Sequence, residues 1–274
     1  MSHDKRYTVE PIPSARQIVV DAGRLGVRRH VVHGLLELDV TRAREFMRAY
    51  KARTGEPLSF TAFVVACFAR ALDRNKFANA YRDWRNRLIV FDDVDIVTMI
   101  ETERGGVALA HIIRAANTRS VFDIHREIRS IQAQPVKSDQ HKWLVGIGPR
   151  VPAFVRDSFY WAMRKNPHWF KHYAGTCVVT SMGMFGSGSG WGVGFLPMHT
   201  VGLTVGGIAQ KPGVVDGQIA IREYLSLTLS VDHDIVDGAP AARLAECLRQ
   251  LIESADSLDA PMRHNDHSRT SLGN

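Results

Sequence analysis

Long apolar runs, paired cysteines and flexible linkers are all missing from this chain. No uncharged apolar stretch approaches the roughly 18 residues of a membrane-spanning helix, and Met1 to Tyr7 holds no signal-peptide apolar region. The 3 cysteines, Cys67, Cys177 and Cys247, are far apart, odd in number and without a CxxC pair. That pattern argues against a disulfide framework or a zinc site and for a reducing compartment, so a cytoplasmic location is expected. Acidic residues are in short supply, 28 against 35 Lys and Arg, for a net charge of +7. Such an excess suits nucleic acid, an anionic membrane or a small polyanionic ligand, but solubility alone explains it equally well. The remainder, 45% hydrophobic and 23% charged over 274 residues, is ordinary globular usage, with length enough for a core without staples.

No Pro/Gly/Ser linker, low-complexity tract or repeat divides the sequence, which therefore reads as one domain over 14–256. Residues 1–13 and 257–274 read as flexible ends. His30 to Asp39 is strand-like. Thr41 caps a helix to about Thr54, and Ser59 or Thr61 starts a second whose apolar residues recur at helical spacing. Leu88–Phe91, Val94–Glu101 and Val107–Ile113 read as strands, and Ser120 opens a helix through Ile131. Thr176–Ser181, Thr200–Ala209 and Glu223–Val231 are further strands, and Ala239–Glu253 is a closing helix. Mixing without strict alternation predicts an α+β, two-layer domain: a mixed sheet with helices on one face.

The segment 149–172 stands apart. Phe154, Phe159, Tyr160, Trp161, Trp169 and Phe170 alternate there with Arg156, Arg164, Lys165 and Lys171. A basic aromatic helix can lie on a membrane or grip an anion; the plainer expectation packs the aromatics on the domain and leaves the charges in water. Membrane attachment is not expected, since Pro152 and Pro167 interrupt the segment and no second anchor accompanies it.

Two segments carry chemistry. In Leu229-Ser-Val-Asp-His-Asp-Ile-Val-Asp-Gly238 a strand ends at Asp232-His233, and Asp237-Gly238 precede a helix. A strand-end histidine points into a cleft where it can act as a base near neutrality. Asp237 can orient it or a nearby cation, and Gly238 permits a tight turn. Asp232, Asp234 and Asp237 with a single histidine make a poor zinc set. In Gly175-Thr-Cys-Val-Val-Thr-Ser-Met-Gly-Met-Phe-Gly186 a strand runs into a Gly-rich loop, with Thr180 and Ser181 at the junction. No GxxxxGK[ST] is present, so a phosphate cradle is not expected, whereas a hydroxyl there can donate to a developing oxyanion or merely cap the loop.

Together these segments resemble the catalytic domain of the 2-oxoacid dehydrogenase acyltransferases, the dihydrolipoyl acyltransferases of the chloramphenicol-acetyltransferase-like superfamily. That family reads D-H-R-x-x-D-G at the turn and roughly G-T-F-T-I-S-N-L-G-M-F-G at the strand. Ile100-Glu-Thr-Glu-Arg-Gly-Gly-Val107 is similar to its V-D-T-P-R-G-L-V, Ser120-Val-Phe-Asp-Ile-His-Arg-Glu-Ile128 to the helix that follows, and Leu58-Ser-Phe-Thr-Ala-Phe63 to its L-T-F-T-P-F.

The resemblance implies a chloramphenicol-acetyltransferase-like fold that moves an acyl group between CoA and a thiol of the dihydrolipoyl type, or another acceptor. His233 would be the general base and Thr180 the oxyanion donor, with Ser181 as its fallback. Asp237 would hold the turn through an N-terminal arginine, for which Arg16 is the candidate, and Gly238 would be the turn glycine. CoA or acyl-CoA would be a substrate and no metal would be needed. Homotrimers would carry the site at the subunit interface, with further assembly open. No lipoyl domain is in evidence, so a lipoyl group would come from a separate lipoyl-carrying protein. Nucleic acid is not expected as a partner.

Asp234 departs from the pattern, standing where the family has Arg, and puts a third carboxylate on the turn. That departure keeps a rival open, a non-catalytic trimeric scaffold or interaction protein on the same fold. A basic nucleic-acid or membrane binder built on 149–172 is the second rival.

Overall fold

The computed structural model describes residues 7–10, 16–27, 29–100, 109–134, 151–182 and 188–259. A six-stranded sheet runs in the order β1-β8-β7-β6-β4-β5, with β1 at Val31–Asp39, β4 at Ile96–Ile100, β5 at Leu109–Ile113, β6 at Cys177–Ser181, β7 at Val201–Val215 and β8 at Gln218–Asp232. β6 lies parallel to β4 and β7, while the other pairs are antiparallel, so the sheet is mixed as the sequence predicts. β2 (Ala80–Arg82) and β3 (Leu88–Val90) form a separate ribbon.

Strand alternation sends Val179, Leu203, Leu227 and Leu229 to one face of the sheet, where all are buried. Helices α2 (Thr41–Thr54), α3 (Phe60–Arg74), α4 (Val121–Ala133) and α7 (Gly238–Ser254) pack around that core. α3 reads FTAFVVACFARALDR and is buried almost all round, as expected of a helix wedged between sheet and neighbours. Its start is fixed by Ser59, whose hydroxyl accepts from the Ala62 N–H at 3.3 Å. α4 starts on a reciprocal capping box between Ser120 and Asp123.

Three differences from the sequence reading have physical causes. β7 and β8 run much further than the segments read as strands, meeting at Asp216-Gly217, both left-handed (φ 50° and 78°) as a tight hairpin needs. Pro212 is tolerated in β7 because short β6 leaves that half of the strand an edge. A helical turn, α8 (Asp256–Asp259), buries Ser257 and Leu258, so the packed domain continues past residue 256. Helix α1 (Arg16–Gly26) was not anticipated at all.

The basic aromatic segment forms α5 (Ala153–Lys165) and α6 (Pro167–Ala174). Tyr160, Met163 and Phe170 pack with Tyr81 and Phe91 in a second small core. Phe154, Trp161 and Trp169 are exposed. Arg156 contradicts the expectation that the charges stay in water: it is buried, with its Nε donating to Asp21 of α1 at 2.8 Å. Residues 149 and 150 lie outside the described residues.

Candidate active site

β8 ends at Asp232, and the turn beyond it is pinned from both sides. The His233 N–H donates to the His30 carbonyl at 2.8 Å, just ahead of β1. The Ile235 and Val236 N–H groups donate to the Asp232 carbonyl at 3.1 and 3.0 Å. Asp232 is buried and takes an ion pair from Arg29 at 3.1 Å, while a second Arg29 nitrogen donates to the His199 carbonyl at 2.5 Å. Asp234, the departure from the family pattern, finds its partner in His30, whose Nδ1 lies 2.8 Å from the carboxylate. That hydrogen bond raises the His30 pKa above its usual 6.5 and holds Asp234 below the usual carboxylate range. The His233 ring is exposed on this turn and has no hydrogen-bond partner among the described residues.

Asp237 sits at the N-cap of α7 without a side-chain cap bond, and Gly238 opens the helix. Arg16 does not meet Asp237: no ion pair joins them among the described residues. The arginine that anchors the turn is Arg29, on Asp232 rather than Asp237. The physical reason is topological, since Arg29 immediately precedes β1, the strand paired with β8.

Thr180 lies on β6 and faces a mainly apolar groove of ≈440 Å³, with Met99, Met182, Phe195 and Thr204 among its walls. Its hydroxyl has no partner among the described residues. Ser181, its neighbour, alternates to the opposite face of the strand and does not line the groove. The segment 188–197 lies over the groove face of the sheet, held by the Gly207 N–H donating to the Gly190 carbonyl at 2.9 Å. This approach requires glycine: a Cβ on Gly207 would sit 2.0 Å from the Gly188 oxygen. The loop residues 183–187 lie outside the described residues, as does most of the segment 100–107.

Strand register decides what the fold brings together. Thr180 pairs with Thr204, which pairs with Thr228 on β8. From Thr228 to His233 the chain advances about 16 Å and two strand spacings add about 10 Å, so Thr180 and His233 of one chain stand roughly 19 Å apart. The base and the hydroxyl are therefore well out of each other's reach within one chain. Sequence reasoning missed Arg29, His30 and His199, which carry no local motif. It also missed the row of hydroxyls across β6, β7 and β8, whose outermost member, Thr228, is buried with Oγ1 unpartnered.

Among the described residues no cluster of three His, Cys, Asp or Glu could hold a metal ion, and no helix is long and apolar enough to cross a membrane.

A mixed sheet with α2, α3, α4 and α7 packed on one face and a histidine turn ending a long hairpin define the fold class. A solved chloramphenicol acetyltransferase superposes with a TM-score of 0.50 at 14% identity, covering 85% of this chain and 94% of that one. A probable dihydrolipoamide acetyltransferase from Listeria monocytogenes 4b F2365 fits more tightly, with a TM-score of 0.68 at 22% identity over 91% of this chain and 95% of that one. In sequence, the lipoamide acyltransferase component of the branched-chain alpha-keto acid dehydrogenase complex of Bacillus subtilis (strain 168) is 26% identical over 228 residues, 81% of this chain and 46% of that protein. The profile of the 2-oxoacid dehydrogenases acyltransferase (catalytic domain) matches residues 15–141 and 165–259, and the chain belongs to that family. It spans about half the length of the curated relatives it matches. The gap in the match, 142–164, holds nearly all of α5.

Proposed function

We propose that the protein transfers an acyl group between CoA and a dihydrolipoyl-type thiol. The observation that carries this reading is His233, displayed on the turn after β8 with its main chain pinned and its ring, among the described residues, unpaired. A ring nitrogen of His233 takes the proton of the incoming thiol. The thiolate adds to the thioester carbonyl carbon, and the Thr180 hydroxyl donates to the resulting oxyanion. Collapse breaks the original C–S bond, and the departing thiolate recovers a proton from the imidazolium. General-base assistance of this kind contributes ~10²–10⁴-fold, and one oxyanion donor ~10²–10³-fold.

The separation of Thr180 and His233 within one chain supports a site shared between subunits of a homotrimer, the base from one copy and the donor from the next. A separate lipoyl-carrying protein would then supply the thiol. Ser181 faces away from the groove, which favours Thr180 as the donor, and the Asp237 carbonyl accepts from the Ala241 N–H at 3.0 Å in the first turn of α7, behind the base. The reading is tested by following thioester exchange between acetyl-CoA and dihydrolipoamide. Wild type turns over and His233→Ala loses at least a hundredfold. Trimers with no thiol release from either direction would instead establish the non-catalytic scaffold.

A further inference from the structure

Beside the His233 turn, a cleft of ≈140 Å³ opens between the turn and the α5–α6 corner, lined by Arg82, Arg164 and Lys165 together with Asp83, Asp232 and Asp234. Its floor is aromatic and rigid: Tyr81 and Phe170 pack with ring centroids 4.8 Å apart, and the Tyr81 hydroxyl donates to the Thr176 carbonyl at 2.6 Å. Each acid of the wall already has a basic partner. Asp232 is paired with Arg29, Asp234 with His30, and Asp83 with Arg87, which donates to it at 2.9 Å. Arg82 helps hold the Asp234 carboxylate below its usual range, but no ion pair within 4 Å to Arg82 or Lys165 is formed among the described residues, so both can also meet an anion entering the cleft. Arg164 belongs to α5, inside the stretch that the family match skips, and Lys165 is its last residue.

Resting on the acyltransferase reading, we infer that this cleft is an anion subsite, walled on one side by the inserted helix, for a carboxylate or phosphate carried by the thioester substrate. Asp232 and Asp234 flank His233 in the chain, so an anion held here lies against the reacting turn. The subsite makes the insertion a determinant of substrate choice. Guanidinium and ammonium groups over an apolar floor fit such an anion, because partial desolvation strengthens charge-assisted hydrogen bonds.

The test compares wild type with Arg82→Gln/Lys165→Gln, both exposed positions, on acetyl-CoA, succinyl-pantetheine and acetyl-pantetheine. The kcat/KM advantage of an anionic thioester over neutral acetyl-pantetheine should fall roughly tenfold in the double variant. A fall confined to acetyl-CoA assigns the subsite to the phosphates of CoA, and one confined to succinyl-pantetheine assigns it to an acyl carboxylate. Unchanged ratios for both overturn the proposal. In parallel, calorimetric titration with inorganic pyrophosphate and with succinate reads the subsite without turnover. Binding of either ion that weakens roughly tenfold in the double variant supports it even if wild type transfers no acyl group, in which case only the acyltransferase reading falls. Failure of both ions to bind wild type, or equal binding to both proteins, sinks the subsite.

Discussion

Co-assembly of a His233→Ala chain with a Thr180→Ala chain separates a shared site from a self-contained one. Each substitution alone removes one half of the proposed chemistry, leaving on the order of 10⁻²–10⁻⁴ of the activity for the base and 10⁻²–10⁻³ for the donor. The register of β6, β7 and β8 puts these residues roughly 19 Å apart in one chain, far beyond the ~3 Å reach of a hydrogen bond. On the proposed mechanism, a working site takes His233 from one subunit and Thr180 from its neighbour. In trimers assembled at random from equal amounts of the two variants, half the interfaces offer an intact histidine and half of those an intact threonine. About one quarter of the sites are restored, lifting the mixture at least 25-fold above either parent. The assay denatures differently tagged variants together, refolds them, isolates hybrids by sequential capture and follows acetyl transfer from acetyl-CoA to dihydrolipoamide. Hybrids that remain at the parental level would refute the shared site, because each variant contributes the residue the other lacks.

Further outcomes follow from the surroundings of the turn. Asp234→Asn should lower the His30 pKa, read from its imidazole proton resonances, since the Asp234 hydrogen bond is what raises it; an unmoved titration would show that the pair does not form. A raised histidine stabilises where it is protonated, so this brace is complete below about pH 6.5 and is lost as pH rises through the raised value. His30→Ala should reduce kcat while His30→Lys retains most of it. His199 behaves oppositely: burial lowers its pKa to about 4, with Nε2 held 2.7 Å from the Ala174 carbonyl. The unfolded chain therefore binds the extra proton between pH 6.5 and 4, stability falls on acidification by up to about 3 kcal/mol, and His199→Gln should flatten the melting profile over that window. Gly194→Ala would place a Cβ 2.2 Å from Thr204 Oγ1 and 3.3 Å from Thr180 Cγ2, so kcat should drop with little change in chemical unfolding. Phe63→Ala, at a fully buried position of α3, should cost about 3–5 kcal/mol in urea unfolding.

Where local chemistry decides structure, the sequence was readable. Ser59 and Ser120 announce α3 and α4 through their side-chain caps, and the apolar spacing of α3 gives its buried character. The histidine turn was readable for the same reason, as a strand running into Asp237-Gly238 and a helix. Long-range determinants were not. α1 is tied down by Arg156, 135 residues away from Asp21, and no local pattern signals such a partner. The far half of the β7–β8 hairpin was obscured by Pro212 and Gly213, which look like breakers until short β6 shows that this stretch is an edge. The distance between Thr180 and His233 depends on sheet order, which spacing along the chain does not encode. Arg29 and His30 likewise acquire their roles only because β1 pairs with β8.

The Asp21–Arg156 pair makes the seating of α5 against α1 a matter of matched charge. Both side chains are buried, with Arg156 Nε 2.8 Å from the carboxylate, so two helices far apart in the chain are joined by groups that water barely reaches. Breaking such a pair from one side is strongly destabilising, whereas exchanging both charges for apolar groups of similar volume is often neutral or better. Positions 21 and 156 are therefore free to change together and constrained when they change alone.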